Sequence, residues 1–311
     1  MSEAPASRGR GPTLDPLAVR RLLRDEGLRA RHSLSQNFLA DPDVLETILA
    51  EAAVEPGERV LEIGPGLGIL TGGLLDAGAA VTAVELDFRL AGLVRKRLSD
   101  AVSRGTADPG ASGALTLIEG DALDQDLPSL VAGPFTVVAN LPYHITSPVL
   151  HRLLDAPPRP SRMVLMVQWE VAERIAAPPG RMSYLSVFVQ YHAAVRIACR
   201  VPAAAFEPAP SVVSAVIVLE PYESGGASPN SGPERPSVAP ADEDALWALV
   251  QSGFRERRKM LRNVLGRQLE VGQARVDQAL ALVGISGDRR PQTLSVAEWI
   301  ALSGALGDTR G

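Results

Sequence analysis

Apolar residues recur along the first two thirds of the chain in short runs separated by helix-length amphipathic segments. From His32 onward the spacing predicts a helix after Asp41-Pro42, a strand over 59–63, a helix after Gly68, a strand over 81–85 and a helix over 87–98. Runs at 115–118, 135–139 and 163–168 continue the alternation. Strands alternating with helices are built as βαβ units, and strands apolar at nearly every position belong to a parallel sheet covered on both faces. Two later runs, AAVRIACRV and VVSAVIVLE, are separated only by residues 202–211, which contain Pro202, Pro208 and Pro210. That gap is too short and too proline-rich for a crossover helix, so an antiparallel pair closing the sheet is expected.

The ends of the chain read differently. Residues 1–12 are small, polar and rich in Pro and Gly, which predicts disorder. LDPLAVRRLLRDEG predicts a short helix stopping at Gly27, so residues 1–30 form an extension and the fold proper starts near His32. Past Glu220 the composition turns to Pro, Gly and Ser, marking 221–242 as a flexible linker between a 31–220 domain and a 243–311 domain. In the latter, Leu, Val and Trp recur at helical spacing over 243–269, 274–283 and 296–306, which predicts a small all-helical module.

Composition narrows the class. With 311 residues, 46% hydrophobic and 22% charged, the chain can bury a core, which excludes a disordered tail protein or a coiled coil. No apolar run approaches the ~20 residues of a bilayer span, and the first dozen residues have no apolar segment of the kind a secretion signal needs. A soluble, cytoplasmic protein without a membrane partner is expected. The lone Cys199 sits in an apolar run and reads as a buried, inert thiol. Basic residues number 31 against 36 acidic ones, a net charge of −5, yet the cations cluster. Arg20, Arg21, Arg24, Arg29 and Arg31 form one group and Arg255, Arg257, Arg258, Lys259 and Arg262 another. Both could face one polyanion, and the alternative is a solvated helix face. Lysine occurs only at Lys96 and Lys259; the arginine excess suits phosphate recognition and equally suits a GC-rich genome.

The chemistry-bearing motifs fall at strand ends. Glu62-Ile63-Gly64-Pro65-Gly66-Leu67-Gly68 leaves a strand and opens a helix, where glycines permit φ > 0 and close approach of a nucleotide-like cofactor. Glu85 ends the next strand, where a carboxylate can accept from both ribose hydroxyls. Those two features suit NAD as well. Glu62, however, is badly placed for a pyrophosphate and well placed for a cationic sulfonium or ammonium, as in S-adenosylmethionine. Gly120-Asp121-Ala122 follows the third strand; Asp121 could accept from an adenine amino group or simply cap a helix. Asn140-Leu141-Pro142-Tyr143 follows the fourth strand, at the carboxyl edge beside the cofactor cleft. There a side-chain amide oxygen and a proline-held carbonyl can each accept from an exocyclic amine, and Tyr143 can stack on the base. His32, His151 and His192 show no metal-ligand spacing, and no metal is expected.

Four blocks carry a family likeness: SQNFL at 35–39, EIGPGLG at 62–68, NLPY at 140–143 and FEPAPSVVS at 206–214. In this order and spacing the chain resembles the ribosomal RNA adenine N6-dimethyltransferases of the KsgA type. FRERRKMLRNVL and LSVAEW are similar to the same family's helical C-terminal domain. The resemblance implies a Rossmann-like seven-stranded S-adenosylmethionine-dependent methyltransferase sheet. It implies that Asn37, Leu39, Gly64, Glu85, Asp121 and Asn140 contact the cofactor, and that Phe206 and Tyr143 sandwich the target adenine. It further implies dimethylation at N6 of two adjacent adenosines in a hairpin loop near the 3′ end of 16S rRNA, in the small ribosomal subunit or its precursor. S-adenosylhomocysteine would be the product, and Arg255 to Arg262, on a helix, would grip the RNA backbone; apart from the resemblance, a monomer is expected. The family commonly has Gly where Ser35 stands and a smaller or amide residue where His144 stands, a side chain expected to face solvent. The rival readings are a large-subunit (23S) rRNA methyltransferase of the antibiotic-resistance type with the same catalytic set, a noncatalytic ribosome-assembly factor, and an NAD-dependent oxidoreductase, which leaves NLPY unexplained.

Overall fold

A computed structural model describes residues 14–31, 36–155, 157–222 and 240–307. Ser35, His32, most of the expected 221–242 linker and the expected disordered residues 1–12 lie outside the described residues.

The elements run α1 (Pro16–Asp25), β1 (Phe38–Leu39), α2 (Pro42–Ala52), β2 (Arg59–Ile63), α3 (Ile69–Asp76), β3 (Ala80–Glu85), α4 (Phe88–Arg97), α5 (Ser99–Ala107), β4 (Leu115–Glu119) and β5 (Thr136–Asn140). There follow α6 (Thr146–Leu154), β6 (Arg162–Gln168), α7 (Trp169–Ile175), α8 (Tyr184–His192), β7 (Ala193–Val201), β8 (Phe206–Glu207) and β9 (Ser214–Pro221), then α9 (Pro240–Phe254), α10 (Leu261–Gln268), α11 (Gln273–Leu282) and α12 (Val296–Gly307). Local chemistry sets several boundaries. Asp41 and Asp87 cap α2 and α4 by accepting backbone N–H bonds, and Pro42 occupies the first turn of α2, where its missing donor costs nothing.

Seven strands form one mixed sheet in the order β4-β3-β2-β5-β6-β9-β7. β2 pairs in parallel with both β3 and β5, so the strand order reverses between β2 and β5. Such a reversal parts the connections and opens a cleft at the carboxyl ends of the strands. β9 lies between β6 and β7. A separate antiparallel pair, β1 with β8, sets Phe38 opposite Glu207 and Leu39 opposite Phe206; two residues each, these strands are too short for their periodicity to register in the sequence.

The chain divides into two compact units. Among the described residues, one comprises 14–31, 36–153, 157–169 and 198–218; the other 154–155, 170–197, 219–222 and 240–307. The expected division into 31–220 and 243–311 is therefore corrected for α7 and α8, which group with the C-terminal helices. The cause is apolar burial: Val187 and Tyr191 share a core with Leu246, Leu249, Leu265 and Trp299, and the Tyr191 hydroxyl donates to Glu243. The first unit's core runs through Ile48, Val60, Val81, Leu115, Val138 and Val164.

Two further expectations are corrected. α1 belongs to the fold: Val19 and Leu23 are buried against Phe38, Leu67, Leu90 and Leu93, and Arg20 makes a bidentate pair with Glu207 at 2.9–3.0 Å. The expected helix over 243–269 breaks at 255–260, so Arg255, Arg257, Arg258 and Lys259 lie on a turn and only Arg262 is helical. Arg255 there donates to Gln268, Arg257 to the Met182 carbonyl, and Arg262 pairs with Asp288 at 2.9 Å. Cys199 is half-buried, with burial raising its thiol pKa.

Candidate active site

The cleft at the β2–β5 switch holds a cavity of about 330 Å³ within the first unit. All of its wall except Leu90 comes from the segments around the motifs: 36–39, 62–70, 84–86, 120–123 and 140–145. Asn37, Leu39, Glu62, Gly64, Gly66, Glu85, Asp121, Ala122, Asn140, Leu141, Pro142 and Tyr143 all line it. Gly68, expected among them, instead caps α3 behind the turn with φ +73.

The floor is the glycine turn. Gly64 and Gly66 have φ of +71 and +57, a region that side-chain-bearing residues occupy at a cost. A Cβ on Gly66 would lie 3.3 Å from the Phe38 ring. The Gly66 amide donates to Glu85 Oε2 at 3.0 Å, and the Asp87 amide donates to Glu85 Oε1 at 2.8 Å. Glu85 is thus fixed by two backbone donors, while its burial raises its pKa. Each carboxylate oxygen keeps a second lone pair for a hydroxyl.

Glu62 is 1% exposed, and its Oε2 has no hydrogen-bond partner among the described residues. Burial, with a further push from the Glu85 charge, raises its pKa to about 8, against a lowering contribution from Thr71. A buried carboxylate of this kind stays neutral until a cation arrives to pair with it. S-adenosylmethionine fits on three grounds: the unpartnered Glu62 oxygen suits a cationic group, the open glycine floor admits an extended tail, and Glu85 and Asp121 offer acceptors at the nucleoside end. Asp121 shows the capping that was one of its two sequence readings. Its Oδ1 caps the following turn by accepting from Leu123 at 2.8 Å, and the residue still lines the cavity.

On the opposite wall, Asn140 Nδ2 donates to the Asn37 carbonyl at 3.2 Å. Leu141 is buried, its amide bonded to the Met166 carbonyl, and the Pro142 carbonyl accepts from Ile145. The half-buried Tyr143 hydroxyl shares a hydrogen bond with Ser214 Oγ at 2.8 Å, and burial raises its pKa. NLPY is thereby tied to the last residue of FEPAPSVVS. His144 is exposed at the cavity rim.

Phe206 requires a correction. Its ring is 1% exposed, lies in the core with Leu39, Val164, Met166 and Val216, and is absent from the cavity wall. The β1–β8 register sets it opposite Leu39, so an aromatic expected to be presented for stacking is spent on packing.

The family model described as ribosomal RNA adenine dimethylase matches residues 27–303. The ribosomal RNA small subunit methyltransferase A of Anaeromyxobacter sp. (strain K) is 41% identical over 303 residues, covering 93% of this chain and 97% of that protein. The chain belongs to the ribosomal RNA adenine dimethylase family. As a member it is an S-adenosylmethionine-dependent rRNA adenine dimethyltransferase. The protein of the same name from Geobacter sulfurreducens is 40% identical over 291 residues, covering 91% of this chain and 98% of its own. Among solved structures, the 23S rRNA methyltransferase ErmE superposes with a TM-score of 0.65 at 28% identity, over 87% of this chain and all of its own. A dimethyladenosine transferase from Plasmodium falciparum gives a TM-score of 0.64 at 26% identity, over 85% of this chain and 95% of its own. The seven-stranded sheet with a helical C-terminal region matches the architecture that the family's motifs imply.

Sequence reasoning missed Gln36, Phe38 and Ser214, and the packing of the expected first helix onto the fold. Gln36 adjoins Asn37 in the cavity wall and donates to Asp87 at 3.5 Å, and Phe38 backs the glycine floor. Their signal lies within SQNFL, where only Asn37 and Leu39 carry an expectation. Among the described residues no group of three or more His, Cys, Asp or Glu is gathered as metal ligands would be, and no helix is long and apolar enough to cross a membrane.

Proposed function

We propose that this enzyme dimethylates N6 of two adjacent adenosines in a hairpin loop near the 3′ end of 16S rRNA, acting as a monomer in the cytoplasm on the small ribosomal subunit or its precursor, as a step of ribosome biogenesis. The reading rests above all on Asn140, whose amide is oriented by Asn37 at the cavity wall. With Nδ2 committed to a carbonyl, Oδ1 is the end left to accept from an incoming amine. The Leu141 carbonyl, held by Pro142, is the second acceptor, since the Pro142 carbonyl already takes Ile145. Two acceptors on the two N6 hydrogens aim the nitrogen lone pair along one axis, so positioning supplies most of the catalysis. Tyr143, anchored by Ser214, offers its ring to the flipped base.

S-adenosylmethionine supplies an activated methyl group on a cationic sulfonium. The cavity's residues would hold it: Asn37, Leu39, Gly64 and Gly66 would border the tail, Glu62 would face the cationic end, Glu85 would take the ribose hydroxyls, and Asp121 with Ala122 would take the adenine edge. The proton left on N6 after transfer passes to water, and no strong base is required. In the other unit, Arg255, Arg257, Arg258, Lys259 and Arg262 form a basic turn and helix start for the RNA backbone.

The likeness to ErmE supports a second substrate, 23S rRNA, whereas the curated relatives at 40–41% identity are named for the small subunit. Labelled cofactor offered with unmethylated small subunits and, separately, with large subunits decides between them. Label mapping to the 3′ hairpin of 16S rRNA supports the proposal. Label confined to 23S rRNA overturns the substrate and leaves the chemistry intact.

A further inference from the structure

Phe88 opens α4 with 66% of its surface exposed. It stands two residues after Leu86, itself exposed and part of the cavity wall. Between them the buried Asp87 holds two guanidinium groups, Arg89 at 3.0 Å and Arg31 at 3.5 Å, both left partly exposed. α1 packs on α4 through Val19 and Leu23 against Leu90 and Leu93, and Leu28 lines one groove with Arg89 and Lys96. Residues 17–31 carry five arginines against Asp25 and Glu26, and Lys96 neutralises Glu26 at 2.9 Å. Arg21 and Arg29 are exposed and make no ion pair among the described residues. With Arg20 and Arg24 paired to Glu207 and Asp25, the surplus positive charge here is carried by Arg21, Arg29 and the two guanidinium groups that share Asp87, on a chain of net charge −5; the exposed Phe88 adjoins that pair in sequence, and Leu86 borders the cavity.

We propose that the face formed by α1 and the start of α4 docks single-stranded RNA beside the cavity, with Phe88 as the stacking platform for a base flanking the modified adenosines. The proposal rests on the function proposed above and adds a surface to it. A polyanion carrying planar bases matches both properties of the face. Arginines supply sequence-independent attraction to phosphates, and an exposed ring offers a surface to any base. Asp87 keeps Arg31 and Arg89 in place, so that docking loses little side-chain freedom.

The test compares wild type with Phe88→Ala, Phe88→Trp and the double variant Arg21→Gln/Arg29→Gln on unmethylated small subunits. Phe88 is among neither the cavity-lining nor the buried core residues, and Arg21 and Arg29 are exposed, so these variants are expected to fold. Phe88→Ala is expected to raise KM for the subunit about 10-fold, within the range of one lost base stack, while kcat and cofactor Kd stay within about 2-fold of wild type. Phe88→Trp restores KM. The arginine pair lowers the slope of log KM against log salt by roughly 0.7 for each phosphate no longer neutralised. A photoreactive phenylalanine at position 88 crosslinks to rRNA, and the same group at the exposed Leu282 of the other unit serves as the control. An unchanged KM for Phe88→Ala in an active enzyme, with crosslinking no stronger than at Leu282, overturns the docking surface and leaves the function proposal standing. If wild type methylates neither subunit, the function proposal falls, and the crosslink at 88 alone decides the surface: present, it supports docking; absent, it ends the idea.

Discussion

Asn140 and Asn37, 103 residues apart, meet across the cavity, with Nδ2 of the first donating to the backbone carbonyl of the second at 3.2 Å. The bond joins the two walls of the cleft and sets the amide's direction, because a carbonyl can accept only from the nitrogen end.

Removing that amide should act on the chemical step. Asn140→Ala loses one positioned acceptor and is expected to lower kcat by about 10²–10³, the scale of a single preorganised polar group. Asn140→Asp keeps an acceptor but sets a carboxylate oxygen against the Asn37 carbonyl, so cofactor affinity falls as well. Single-turnover methyl transfer alongside calorimetric cofactor binding separates the two effects.

Glu62 gives the protein a pH signature. Its pKa near 8, against an ordinary 4.5, means that the folded chain holds a proton the unfolded chain has released anywhere between those values. Stability therefore falls as pH rises through that window, and Glu62→Gln removes this part of the slope. Cofactor binding runs the other way. The cation favours the ionised carboxylate, so affinity should rise from pH 6.5 to pH 8.5 with release of a proton, and should flatten in Glu62→Gln. Calorimetry in two buffers of different ionisation enthalpy reads the proton directly.

The glycine floor should be intolerant of a single methyl group. Gly66→Ala places a Cβ 3.3 Å from the Phe38 ring at a φ of +57, a backbone strain of roughly 1–2 kcal/mol. Cofactor affinity is expected to fall at least 10-fold with a smaller loss in thermal stability, checked by binding and melting on one preparation.

α1 should matter for stability although it precedes the sheet. Leu23→Ala is expected to cost about 2–4 kcal/mol in denaturant unfolding, by leaving a cavity between α1 and α4. The exposed Leu17→Ala on the same helix should cost nearly nothing.

The sequence showed the sheet and the cavity more fully than the rest. β2, β3 and β5 each carry a run of apolar residues because both of their faces are covered, and that pattern is visible without any partner. The glycine turn and NLPY were legible because each needs particular residue types at a strand end. The parts that escaped depend on distant partners. α1 looked like an appendage because its amphipathic stripe does not reveal that Leu90 and Leu93 receive it. α7 and α8 looked like part of the sheet domain because chain order suggested it, whereas Tyr191 packs with residues more than fifty positions later. The break at 255–260 lies in a segment of good helix formers, where propensity argues for continuation and tertiary context prevails. Phe206 shows the converse: its motif was recognisable, but only the β1–β8 register shows which way the ring turns.

The central claim is that Asn140 positions adenosine N6 of small-subunit rRNA for two methyl transfers. The most direct measurement is mass spectrometry of nuclease-digested 16S rRNA after unmethylated small subunits react with wild type or Asn140→Ala, each at saturating cofactor. The account predicts dimethyladenosine at both hairpin adenosines with wild type and, with the variant at the same saturating cofactor, almost none. Equal dimethylation by the two proteins, or none by a wild type that binds both cofactor and subunit, would contradict it.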